Sequence, residues 1–220
     1  MIGKVLAVYA KDIRLEIRNR YALNAILLFG ITALAVVSFA MGRTGMSAPL
    51  QSAVFWVVVF FSAMAGLAHV FVREEETGTA MVLRLKADPD AVYVGKLLFN
   101  FTMLSLMAMI VTPLFFIFTD APADNVLVFI LVLALGVVGL CAAMTLVAAI
   151  IARASGRGAL FAVLSFPIVV PLLFVLSAAT EKTLDAQPIG ALSLHLQFLV
   201  VYSVLLIVAS VLLFKFVWRE

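Results

Sequence analysis

An all-α polytopic membrane protein, with six transmembrane helices and both termini cytoplasmic, is the fold class this sequence predicts. Three observations predict it. Hydrophobic residues make up 65% of the 220 and charged residues 12%, against about 45–50% apolar in an average soluble domain. The mean hydropathy of +1.23 is spread over six separate apolar runs. The Lys and Arg residues fall in alternate connections between those runs. At about 20 residues per span, the runs and their short connections use up the chain, which predicts a single transmembrane domain over residues 1–220 and no soluble domain. The one cysteine, Cys141, lies inside an apolar run; it excludes an internal disulfide and reads as packing.

Residues 1–20 carry too many charges to cross a bilayer, yet Ile2, Leu6, Tyr9, Ile13 and Ile17 recur at helical spacing, with Lys4, Lys11, Arg14 and Arg18 on another face. An N-terminal amphipathic interfacial helix is predicted, its basic face meeting anionic headgroups or a partner. Glu16 and Arg20 stand at i,i+4 in the order that favours an ion pair. The first span, about 21–41, holds no charge, and it exceeds the roughly 7–15 apolar residues of a cleavable signal, so it is expected to stay as an anchor.

A loop with Arg43 and Pro49 leads to the second span, about 52–72, where Ser62 and Gly66 form a small-xxx-small pair that admits a close neighbour helix. A charged loop, 73–96, precedes the third span, about 97–118, with Pro113 near its far end where a lost backbone bond costs least. Asp124 is the expected N-cap of the fourth span, about 125–151, in which Gly139 and Ala143 repeat the small-residue spacing. Arg153 and Arg157 fill a tight turn before the fifth span, about 158–179. Pro167 and Pro171 lie four apart on one face of that span and remove two backbone donors, so a kink or break is expected there, as a hinge or as a static bend. A loop from Thr180 to Ser193 leads to the sixth span, about 194–217, closed by Trp218 as an interfacial aromatic.

The basic residues then fix the orientation. Lys4, Lys11, Arg14, Arg18, Arg20, Arg73, Arg84, Lys86, Lys96, Arg153, Arg157, Lys215 and Arg219, 13 of the 15, share one side, and only Arg43 and Lys182 are on the other. By the positive-inside rule that side is the cytoplasm, which places the 73–96 loop there as the longest cytoplasmic connection.

Several chemistries are missing from the sequence. Gly95-Lys96 is no nucleotide-binding loop, since Asp90 stands where the first glycine belongs and Leu97 where Ser or Thr belongs. The only histidines, His69 and His195, fall on different spans near opposite faces and cannot share a metal. No Asp, Glu, Lys or Arg lies mid-span, which argues against an ion-coupled transporter.

The charged loop is the informative stretch. Gly78 can end the extension of the second span, and Thr79 can cap a short helix from about Ala80 to Lys86 that offers Met81, Val82, Leu83 and Leu85, rimmed by charge, to a groove on a partner. Asp88-Pro89 reads as N-cap and N1 of the helix that leads through Lys96 into the third span. Glu74-Glu75-x-x-Gly78-Thr79, Leu83-Arg84-Leu85 and Gly95-Lys96 resemble the coupling region of ABC-2-type permeases. With Arg73, Tyr93 to Asn100, Asp12 to Glu16 and Arg20 to Asn24, the pattern is similar to the heme exporter protein B (CcmB) family. One departure is Lys86-Ala87-Asp88-Pro89, where a small residue followed by proline is expected directly after Leu85.

The resemblance implies an ABC-2-type transmembrane domain of a multi-pass protein in the bacterial cytoplasmic (inner) membrane. It further implies a permease subunit of the cytochrome c maturation system, not itself an enzyme, with no metal or cofactor of its own. ATP-Mg would sit on a separate ATP-binding cassette subunit, two copies of each chain assembling with heme-handling membrane subunits and a periplasmic heme chaperone. ATP hydrolysis would drive either heme export, with heme as substrate, or release of the heme-loaded chaperone. The residues assigned to the ATP-binding partner are Arg73, Glu74, Glu75, Glu76, Gly78, Thr79, Met81, Val82, Leu83, Arg84 and Leu85; none is catalytic. His69 and His195 are the candidates for heme contact. The alternatives are an ABC-2-type exporter of a polysaccharide or drug and a membrane scaffold that transports nothing.

Overall fold

Apolar runs of this length form helices because hydrocarbon offers the backbone no partner outside the segment itself. A computed structural model of the protein describes residues 1–41, 46–67, 69–76, 78–122, 124–152 and 157–219, with all their side chains except those at positions 41, 69, 73, 75, 80, 82, 84, 157, 158, 217 and 219. Among the described residues there is no strand. The helices are α1 (Ile2–Asn19), α2 (Tyr21–Met41), α3 (Ala48–Leu67), α4 (His69–Glu76), α5 (Ala80–Lys86), α6 (Pro89–Thr119), α7 (Val126–Ile151), α8 (Arg157–Leu184) and α9 (Ser193–Arg219), with a 3₁₀ turn, Ile189–Leu192, before α9. Among the described residues, six stretches are long and apolar enough to cross a membrane, Tyr21–Ala40, Ala48–Val72, Pro89–Thr119, Val126–Ile151, Ala159–Leu184 and Ile189–Phe216. The chain is a multi-pass membrane protein.

The expected spans are all present, and the differences lie at their ends. The second is carried by α3, which starts at Ala48, and by α4, which runs on to Glu76. The third belongs to a 31-residue helix with Asp88 extended at its N-cap and Pro89 in its first turn. Such a helix is about 46 Å long, more than the roughly 30 Å of a hydrocarbon core, so it carries the preceding charged segment and the span on one rod. Asn125, not Asp124, is the N-cap of α7; its Nδ2 donates to the Gln187 carbonyl at 3.1 Å, which ties it to the neighbouring connection.

Of the kink or break expected in the fifth span, the break is absent: α8 is continuous through Pro167 and Pro171, and its last turns take in Glu181 and Lys182, expected in a loop. A neighbouring helix supports the proline region, the Tyr202 hydroxyl on α9 donating to the Ile168 carbonyl at 2.7 Å. Trp218 is buried, stacked on Phe214 at 5.2 Å and edge-on to Phe71, instead of facing an interface.

α7 lies against α6, α8 and α9, while α2 covers α3 and α1 lies along α6. Small residues make these approaches feasible. A Cβ at Gly139 would come within 2.9 Å of Leu172 and 3.0 Å of Ser203, and one at Gly136 within 2.2 Å of Trp56. Gly66, in the predicted small-residue pair, is tighter still: its Cβ would lie 2.0 Å from Ile26 Cγ1 and 3.0 Å from the Ala22 carbonyl. One end of the bundle collects α1, the 74–88 segment, the start of α6 and the end of α9, where Lys215 pairs with Asp90 at 3.2 Å.

Gly66→Ala is therefore expected to loosen α2 from α3 and to cost about 1–3 kcal/mol, the range for overpacking, read as a lowered unfolding temperature in detergent. The loss should shrink in an Ile26→Ala background. Gly190→Ala, with nothing within 4 Å of its Cβ, should leave the temperature unchanged.

Candidate functional site

At the charged end of the bundle the side chain of Lys96 is only 1% exposed. An ammonium group has three protons to donate, and all three find acceptors: the Val70 carbonyl at 2.7 Å, Glu74 Oε1 at 3.1 Å and Asp12 Oδ2 at 3.3 Å. The nitrogen also stands 5.2 Å from the centre of the Phe71 ring, a cation–π geometry. Lys11 completes the charge balance, pairing with Glu74 Oε1 and with Asp12 Oδ1, the latter at 3.3 Å. Two cations and two carboxylates thus neutralise one another where solvent is largely excluded. A buried ion pair survives only when such additional hydrogen bonds offset the desolvation of its members.

The elements that carry these groups explain how they meet. Lys96 lies two turns into α6, on the side that α1 covers; a Cβ at the neighbouring Gly95 would come within 2.8 Å of Val8 Cβ. α1 buries Val5, Val8, Asp12 and Glu16. That line is one residue out of step with the predicted apolar stripe, of which Ile2, Leu6 and Ile17 are exposed. Tyr9 and Ile13 of the stripe pack partly against the core, while a second, acid-bearing face is fully buried against the protein. The expected Glu16–Arg20 pair does not form. Arg20 turns into the left-handed region at φ 52, and Glu16 Oε1 instead accepts the Leu23 N–H at 2.9 Å, capping the start of α2.

Glu74 is the hub on the other side. Its Oε2 accepts the Thr79 hydroxyl at 2.7 Å, and its carbonyl accepts the Thr79 N–H at 3.0 Å. With Gly78 at φ +67, that backbone bond is the pattern with which a helix ends on a glycine. Gly78 thus ends the extension of the second span as the sequence leads one to expect. Thr79 is the N-cap residue of α5, but its hydroxyl holds Glu74 and does not cap the helix. Burial alone would raise the Glu74 carboxyl. The charge of Lys96, the hydrogen bond and charge of Lys11 and the Thr79 hydroxyl outweigh it, holding the group at about 2 against an ordinary 4.5. Past α5, Asp88 pairs with Lys4 at 3.0 Å, and that contact lowers its carboxyl as well. α1 is thus joined to the chain on both sides of α5.

Of the residues assigned to partner contact, Glu74, Gly78 and Thr79 belong to this cluster or its turn. Met81 and Leu85 point outward at 73% and 81% exposure, whereas Leu83 packs against the core. Glu76 is exposed. The side chains of Arg73, Glu75, Val82, Arg84 and His69 lie outside the described residues. His195 is at the other end of the bundle, its Nδ1 buried with no hydrogen-bond partner among the described residues. No three metal-binding side chains gather among the described residues. One turn beyond Lys96, the buried Asn100 donates to the Thr145 hydroxyl at 2.8 Å and so links α6 to α7.

The residues that sequence reasoning left out are Lys11, Asp12 and Lys96 as partners of Glu74. A signal was available: Val5, Val8, Asp12 and Glu16 recur at helical spacing, so acids fall on a line that an interfacial helix would not need.

The family model described as CcmB protein matches residues 3–216. Heme exporter protein B of Rhodobacter capsulatus is 27% identical over 169 residues, which cover 76% of this chain and 78% of that protein. Heme exporter protein B of Pseudomonas aeruginosa is 26% identical over 181 residues, covering 81% of each chain.

Lys96→Met should leave two buried carboxylates short of a cation and cost about 3–5 kcal/mol, measured by unfolding in detergent. Adding Glu74→Gln should recover part of that loss. The pH dependence has a definite sign. Because the folded-state value of Glu74 is depressed, its contribution is full above 4.5, declines as the pH falls below that value and is lost below about 2. The stability gap between the wild type and Glu74→Gln should therefore be constant from neutral pH down to about 5 and close on further acidification.

Proposed function

The chain belongs to the CcmB protein family, and on that premise we propose that it is the permease subunit of an ATP-driven heme-export complex in the bacterial inner membrane. Its spans would carry to the outer face a displacement that begins at a separate ATP-binding subunit. The work done there is heme export or release of a heme-loaded periplasmic chaperone, with heme as the cargo in either case. The names of the two relatives support the heme pathway.

One observation carries the coupling role: the ion cluster of Lys96, Glu74, Asp12 and Lys11 joins the segment around α5 to two other helices at once. α5 leaves Met81 and Leu85 exposed, which suits a groove on a soluble partner. A force on α5 reaches Glu74 through the Gly78–Thr79 turn, then α6 through Lys96 and α7 through the bond from Asn100 to Thr145. On the proposed orientation this end faces the cytoplasm, where ATP is available and where the positive-inside rule places 13 of the 15 basic residues.

Leu85→Asp is expected to leave insertion and thermal stability unchanged while abolishing co-purification of the ATP-binding subunit and the ATPase activity of the complex. Glu75→Lys should likewise release or uncouple that subunit. Retention of both properties in both variants would mean that the α5 segment is not where the partner binds.

A further inference from the structure

The rotation of α1 about its own axis is fixed. Val8 is held against Gly95, the Tyr9 hydroxyl lies 3.2 Å from that of Thr102, Asp12 is held by Lys96, and Lys4 by Asp88. With rotation fixed, the helix has three sectors. Val5, Val8, Asp12 and Glu16 face the protein, and the exposed Ile2, Leu6 and Ile17 require lipid. At 3.6 residues per turn, Arg14 and Arg18 fall roughly 90° and 130° around from the middle of the lipid-facing line, on the side away from the protein. Both are exposed, and neither has an ion-pair partner among the described residues.

Two like charges at i,i+4 disfavour a helix unless something opposite meets them. The third sector adjoins Lys4 and Lys11, through which α1 is tied to Asp88 just after α5 and to Glu74 just before it, so it lies on the side of the helix where α5 stands. From this we propose that Arg14 and Arg18 form the electrostatic half of the surface that receives the ATP-binding subunit, meeting an acidic patch on it, with Met81 and Leu85 as the apolar half. The inference rests on the function proposed above and adds the chemistry of the partner's contact face. On this account α1 is part of the docking platform as well as an anchor in lipid. Charge at such a rim steers the approach of a partner and sets the salt dependence of binding.

The test is the affinity of the ATP-binding subunit for this chain in nanodiscs of phosphatidylcholine alone, where no anionic headgroup competes. Arg14→Glu with Arg18→Glu should weaken binding roughly tenfold, and the fall of affinity with rising salt seen for the wild type should flatten. Arg14→Gln with Arg18→Gln should show a smaller loss of the same kind, and Arg14→Lys with Arg18→Lys should restore the wild-type salt dependence. Affinity unchanged in phosphatidylcholine but lowered in phosphatidylglycerol nanodiscs would assign the arginines to lipid and overturn the proposal, as would no change in either. Leu85→Asp in the same assay separates the two readings. If it alone abolishes binding, the coupling function stands and the arginine contact falls; if neither variant has an effect, both fall.

Discussion

The ammonium group of Lys96 is the constraint on which the charged end of this protein depends. Its three donors tie two other helices to α6: the carbonyl of Val70 and the carboxylate of Glu74, one turn apart on α4, and Asp12 on the N-terminal helix. A lysine placed this deep is costly alone, and so are the carboxylates. Each is tolerable because the others are present, which makes the arrangement close to all-or-none. Removing the cation would loosen α1, the end of α4 and the turn into α5 together.

On the proposed function this constraint turns local geometry into a transmission path. The charged segment from Pro89 and the third span are one helix, so Lys96 sits on a rod that continues to Thr119. On the proposed reading a push on α5 is felt at Glu74 and shared between α6 and α1. The first is long and apolar enough to enter the membrane; the second leaves Ile2, Leu6 and Ile17 exposed. The Gly66 and Gly139 contacts bring the other helices into close packing, α2 on α3 and α7 on α8 and α9.

Much of this architecture was legible in the sequence, for reasons that can be named. Six apolar runs are long-wavelength signals that no single residue can hide, and the glycine at 78 and the proline at 89 mark turns by local chemistry. The cluster was not legible, because its pairs are 84 and 22 residues apart for Lys96 with Asp12 and Glu74. Periodicity predicts which residues share a face, not which faces meet. Glu16 shows the same limit: local spacing favours Arg20, whereas the fold turns Arg20 away and gives Glu16 the start of α2. In α8 the two prolines do not break the helix, and a neighbouring tyrosine bonds the backbone between them.

Amide hydrogen exchange of the detergent-solubilised protein, compared between the wild type and a Lys96→Met variant, tests the shared dependence directly. The account predicts that amides of α1 and of the Gly78 to Lys86 stretch lose protection together, while those of α7 and α8 keep it. Loss confined to the turn around residue 96, with α1 still fully protected, would contradict it.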